Sequence, residues 1–241
     1  MTSAGVSKQR ELFEKLHDEA RLELLAGRQG AVLDLTKDKV YALVGVPAAC
    51  GSLAELSTEL AAELKQEFPD LAVSELAVYE PESFHFTLFG LPGYVKHGAL
   101  ARHLDRILAA SCAAVREPLL SIAGLSIVGG AIVAPLLDLD GRLTWLVNTC
   151  LDELFEELGD EVAELLKAAQ LHRRIFWITL ARPPRLSTSL FERIEKLSSG
   201  FVAEKRGDKI VFEAVSIVQT DKHFSKAGTE VIKSHYLSFL T

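Results

Sequence analysis

The heptapeptide FHFTLFG, Phe84 to Gly90, is an apolar stretch with two polar residues set into it, His85 and Thr87. Successive side chains on a strand point to opposite faces. His85 and Thr87 therefore share one face, and Phe84, Phe86 and Leu88 share the other. FWITLAR, Phe176 to Arg182, repeats the pattern. Trp177 stands where His85 stands in the first stretch, and Thr179 where Thr87 stands. Both stretches end in a Thr-Leu pair before the chain turns away. A histidine and a threonine two apart in one strand carry little information; the recurrence of the pattern is what gives it weight.

The surrounding chain has the same echo. Leu12, Phe13, Leu16 and Ala20 recur at helical spacing, which predicts a helix over 7–26 that stops near Gly27. VYALVGVP, residues 40–47, reads as a buried strand closed by proline. Leu53, Leu56, Leu60, Leu64 and Phe68 form one helical stripe, with Ser52 as N-cap. Pro81 is expected to separate a short extended piece from FHFTLFG. A helix beginning near Gly98 follows. The second half opens with two extended runs split by Gly129-Gly130, a pair suited to a hairpin turn. Asp140-Gly141 marks another turn. A helix carrying Leu146, Cys150, Leu154, Phe155 and Leu158 comes next, then a short helix after Gly159. FWITLAR ends at Pro183-Pro184. A further helix carries Leu190, Ile194 and Leu197, and KIVFEAVSIVQT reads as a strand. Strand, helix, -Thr-Leu- strand, helix thus occurs twice. The expected class is α+β or mixed α/β, with two similar lobes and no domain linker.

Composition narrows the function classes. The chain has 241 residues, enough for a substantial core, and a formal net charge of −7. An acidic chain is a poor clamp for long duplex nucleic acid, which demands many phosphate neutralisations. A small phosphorylated ligand in a local basic pocket is compatible with it. The three cysteines, Cys50, Cys112 and Cys150, form no CxxC pair. They fit a reducing compartment better than a disulfide framework or a zinc site. The polar start has no apolar signal core, and no run is long enough to span a bilayer. A soluble cytoplasmic protein, with no membrane partner and acting as a monomer, is expected.

The two stretches, taken with the element order, resemble the two-histidine phosphoesterase superfamily, the group of RNA 2′-5′ ligases and cyclic-nucleotide phosphodiesterases. FHFTLFG resembles its first His-x-Thr motif. FWITLAR is similar to its second, His-x-Thr-Leu-Ala-Arg, with Trp177 in the histidine's place. The likeness covers roughly residues 38–240 in element order. It implies an α+β, bilobal fold of two pseudo-symmetric lobes of antiparallel-rich sheet, with helices outside and a central groove. Residues 1–37 would be an N-terminal helix and connector, and 38–241 a single bilobal domain. It also implies metal-independent chemistry with no cofactor. The ligand would be a nucleotide or an RNA end bearing a phosphodiester or cyclic phosphate. Carried over by residue, His85 is the proton-transfer group, Thr87 and Thr179 hold the phosphate, and Arg182 assists. That division suits the chemistry. Imidazole gives or takes a proton near neutral pH, while hydroxyls and a guanidinium direct hydrogen bonds at non-bridging oxygens.

Trp177 is the departure. An indole N–H donates a hydrogen bond but does not exchange a proton at physiological pH. Three readings follow from it. The protein is an altered 2′,3′-cyclic phosphodiesterase-like hydrolase working from His85; or it binds a nucleotide or RNA end without cleaving it, with Trp177 stacking on a base; or another group, His172 or His223, takes the missing role. Trp177 could equally fill the groove by packing on its neighbours. Arg173, Arg174, Arg182 and Arg185 flank the second motif and would draw phosphate towards it. A protein with a vestigial groove, used only for partners, is the third class. No P-loop, Rossmann, zincin or nucleophile-elbow pattern is present.

Overall fold

The computed structural model describes residues 3–27, 40–47, 51–71, 76–91, 97–158, 175–203, 209–220 and 228–237. His172, His223, Arg173, Arg174, Cys50 and the segment expected to form a short helix after Gly159 lie outside the described residues.

The described chain runs α1 (Ser3–Leu25), β1 (Val40–Pro47), α2 (Gly51–Glu67), β2 (Phe86–Leu91) and α3 (His97–Ala114). It continues through β3 (Leu120–Ile122), β4 (Ser126–Val128), β5 (Ala131–Asp138), α4 (Arg142–Leu158), β6 (Phe176–Ala181) and α5 (Thr188–Ala203). It closes with β7 (Lys209–Ile210), β8 (Phe212–Thr220) and β9 (Glu230–Tyr236). The expected helical stripes are the buried ones: Leu53, Leu56, Leu60 and Leu64 on α2, Leu146, Cys150 and Leu154 on α4, Leu190 and Ile194 on α5. Gly27, in the left-handed region at φ +69°, ends α1 as a glycine after a helix commonly does. Gly129 and Gly130, both at positive φ, make the β4–β5 turn.

Among the described residues all strand pairings are antiparallel, in one nine-stranded sheet of order β7-β3-β5-β6-β2-β1-β8-β9, with β4 paired to β5. The strands of both halves of the chain thus belong to a single sheet. They join where the two motif strands meet, at the pair Phe86↔Ile178. On one face of this junction lies the core. Phe86 and Ile178 are fully buried there, among Leu43, Leu88, Leu136, Phe176, Leu180 and the helical stripes. Phe86 also meets Phe212 edge-on, with ring centroids 5.2 Å apart. Gly45 stands directly opposite Phe86 across β1–β2. A Cβ at Gly45 would fall 2.2 Å from the Phe86 ring, so only glycine allows that ring its place.

Local readings are corrected in four places. FHFTLFG is not strand throughout: β2 begins at Phe86, and His85 lies one residue before it. The extended piece before Pro81 shrinks to a single bridge, Val78↔Ala181. Pro81 itself opens a 3₁₀ turn, Pro81–Ser83, since its fixed φ and missing N–H suit a first helical position. Ser52 sits inside the first turn of α2 rather than before it. KIVFEAVSIVQT divides at Val211 into β7, which pairs with β3, and β8, which pairs with β1.

Candidate functional site

Opposite the core, the same junction presents the motif side chains. β2 and β6 meet at the single antiparallel pair Phe86↔Ile178, and antiparallel geometry around it puts His85 on the side of Thr179 and Thr87 on the side of Trp177. Each motif thus contributes one member to each cross-strand pair. His85, Thr87, Trp177 and Thr179 are all partly exposed, while their chain neighbours Phe86, Phe176 and Ile178 are fully buried. The alternation expected from the sequence is met on both strands.

The rungs extend into the first lobe. Val44 pairs with Thr87 and with Ser216, and Ser216 with Ser234. Val46 lies one step beyond the Gly45↔Phe86 pair and so faces His85; it pairs with Ala214, and Ala214 with Tyr236. Two rows of side chains therefore cross the sheet: Trp177, Thr87, Val44, Ser216, Ser234, and beside it Thr179, His85, Val46, Ala214, Tyr236. The first row is closed in its middle, with Val44 and Ser216 each 3% exposed. The second is more open, with Val46 at 43% and Tyr236 at 70% on either side of Ala214, which is 9% exposed.

A backbone clamp holds His85 near Arg182. The Tyr79 N–H donates to the Leu180 carbonyl at 2.8 Å, and the Arg182 N–H donates to the Ala77 carbonyl at 3.1 Å. This fixes the end of β6 to the segment that leads through the 3₁₀ turn into His85. Ala77 takes φ +46° to do so, a conformation a non-glycine residue adopts only at some cost. The Arg182 guanidinium is near enough to His85 to favour its neutral form. Burial is the larger cause, and together the two hold the imidazole pKa below its ordinary value against an opposing hydrogen bond. That bond is from the ring to the Ser83 carbonyl, with Nδ1 at 2.9 Å from the oxygen. A carbonyl only accepts, so Nδ1 carries the proton and Nε2 is the basic nitrogen of the neutral ring. Arg182 Nε is buried and makes no hydrogen bond among the described residues. A buried donor of this kind is costly unless an acceptor reaches it, and an oxyanion would do so.

The residue that sequence reasoning missed is on α1. Phe13 meets Trp177 edge-on, with ring centroids 6.4 Å apart at 79°. The helix lies across the second lobe. The Gln9 side-chain carbonyl accepts the Asp138 N–H at 3.0 Å. His17 Nδ1 accepts the Ile127 N–H at 3.2 Å, and its Nε2 lies 3.4 Å from Glu195. All eight residues of β5 are buried. A strand enclosed on both faces needs a cover on each, and α1 is one of them. The apolar stripe with Phe13 at its centre was visible in the sequence, but nothing there says which surface it docks on. Beneath α1 a cavity of about 580 Å³ is lined by Arg10, Glu14, His17, Ser126, Pro135 and Glu195, among others. Its carboxylates make it a poor phosphate site.

Among the described residues no three of His, Cys, Asp or Glu come together in a way that could hold a metal ion. Among them, too, no helix is long and apolar enough to cross a membrane.

No family model matches the chain, and no curated protein matches it significantly. Solved structures resemble it. TT0787 of Thermus thermophilus is 13% identical, with a TM-score of 0.52 and coverage of 82% of this chain and 97% of that one. LigT of E. coli in its apo form aligns at 9% identity and a TM-score of 0.43, covering 83% and 98% of the two chains. LigT complexed with 3′-AMP gives 11%, 0.43, 83% and 99%. The likeness to TT0787 establishes the α+β fold.

Proposed function

We propose that this chain is a phosphoesterase-like protein acting on a nucleotide or RNA end that carries a phosphodiester or cyclic phosphate. The observation that carries the reading is the gathering of His85, Thr87 and Thr179 about one sheet junction beside a buried Arg182 Nε that has no hydrogen-bond partner among the described residues. The resemblance of both motifs to those of the two-histidine phosphoesterases supports it.

In this reading Arg182 and the two threonine hydroxyls hold the non-bridging oxygens. His85 Nε2 takes a proton from an attacking water, whose oxygen forms the new bond to phosphorus. The bond to the leaving ribose oxygen breaks, and that oxygen takes its proton from solvent, because Trp177 cannot supply one. The lowered pKa keeps His85 in the base form this requires. A site with one imidazole is expected to be slower than a two-imidazole site by about 10²–10⁴.

The test is hydrolysis of 2′,3′-cyclic and linear phosphodiesters by the wild-type chain and by His85→Ala, with and without EDTA. Slow turnover that His85→Ala abolishes, while binding persists, supports the assignment. Turnover that EDTA removes refutes it. Trp177 favours a second reading, a nucleotide or RNA-end binding module without turnover. In that case thermal shifts with the same ligands appear and hydrolysis does not.

A further inference from the structure

The indole at position 177 was the natural stacking platform for a base, but Phe13 packs edge-on against it and α1 covers the strands beside it. Among the described residues, the aromatic ring that remains open on this side of the sheet belongs to Tyr236. It stands at the end of the open row, after His85, Val46 and Ala214. Val46 and Tyr236 are exposed, Ala214 is small and apolar, and Val231 on β9 is 58% exposed. Three strand spacings separate His85 from Tyr236, about 14 Å along the backbone. A bare phosphate held at His85 and Arg182 does not reach that far. A phosphodiester continued by a nucleoside can.

We infer that the row Val46–Ala214–Tyr236 is the binding track for the nucleoside part of the ligand, with Tyr236 as its stacking platform. This rests on the phosphoester reading of His85 and Arg182 and adds where the nucleoside lies. An oligonucleotide end, extending from the phosphate across the first lobe, fits the track better than a free mononucleotide. Val46 and Ala214 offer no hydrogen-bonding side chains, so recognition along the track is by stacking and contact, tolerant of base identity.

The test measures affinity of the full chain for two probes, inorganic phosphate and a dinucleotide ending in a 2′,3′-cyclic phosphate. Tyr236→Ala is expected to weaken dinucleotide binding by about five- to a hundredfold, the range of base–aromatic stacking. Phosphate binding stays unchanged, and Tyr236→Phe retains the dinucleotide affinity. Tyr236 is largely exposed, so truncation spares the core. Unchanged dinucleotide affinity in Tyr236→Ala, or an equal loss for both probes, overturns the inference while leaving the phosphate site standing. Failure of the wild-type chain to bind either probe overturns the phosphoester reading, and this inference with it.

Discussion

Phe13→Ala should undock α1 without unfolding the sheet. The helix spans 23 residues, yet its only buried residues with described burial are Gln9 and Phe13. Its attachment is correspondingly thin. Burying a phenylalanine side chain contributes about 1.5–3 kcal/mol, and an edge-to-face ring pair about 0.5–1.5 kcal/mol more. What remains includes the Gln9 bond to Asp138 N–H and the His17 bond to Ile127 N–H, each contributing about 0.5–1.5 kcal/mol, together with the contacts of His17 and Arg21 to Phe191 and Glu195 and the packing of Ala20 and Leu24 on the core. Removing the ring therefore takes away roughly 2–4 kcal/mol of that attachment. Hydrogen exchange of α1 amides should accelerate by about thirty- to a thousandfold, since each 1.4 kcal/mol is a factor of ten. Amides of β1, β2, β6 and β8 should keep their protection. In a Trp145→Phe background, which leaves Trp177 as the single tryptophan, emission should shift to the red and acrylamide quenching should rise. If instead sheet amides lose protection in step with α1, the helix is part of one cooperative unit, and the argument that it undocks separately is wrong.

Other outcomes follow from the site and the core. The depressed His85 pKa means the unfolded chain binds its proton first, so stability should fall as pH drops below the ordinary histidine value of about 6.5. Denaturant titrations across that range check this, and His85→Asn should flatten the decline. For the same reason any hydrolysis should persist to more acidic pH than an ordinary histidine base allows; a rate that declines above 6.5 would contradict the burial argument. Arg182→Gln should weaken inorganic phosphate binding by tenfold or more, read by calorimetry, because a charge-assisted hydrogen bond contributes about 1.5–3 kcal/mol. Gly45→Ala should cost about 1–3 kcal/mol or more, since the Phe86 ring must move; an unchanged Tm would refute the contact. Cys112 and Cys150 are buried, with pKa values pushed up to about 12, and should alkylate only on unfolding, as peptide mapping would show.

Much of this was legible in the sequence because the relevant signals are local. The alternation in FHFTLFG and FWITLAR placed Phe86 and Ile178 in the core and His85, Thr87, Trp177 and Thr179 on the other face. Helical stripes such as Leu53–Leu56–Leu60–Leu64 were visible for the same reason. Partner choice was not local and could not be read. Which strands adjoin depends on crossovers, so the single sheet, and the rows that join His85 to Tyr236, emerge only from pairing. The partition of KIVFEAVSIVQT at Val211 is of the same kind, since both halves have strand propensity and only their neighbours differ. Trp177 shows the limit most clearly. Its residue type suggested a platform, whereas its use depends on Phe13, distant in sequence and brought against it by the docking of α1.

The break at Val211 has a geometric consequence. In a flat sheet β7 and β8 would stand six strand spacings apart, about 29 Å. The two chain steps from Ile210 to Phe212 span at most about 7 Å. The sheet must therefore curve strongly enough to bring the end of β7 beside the start of β8, and Val211 links them. A rolled wall fastened this way resists being prised open like a hinged shell. The spacing of the two halves at this corner is therefore set when the chain folds, by a covalent tie between β7 and β8.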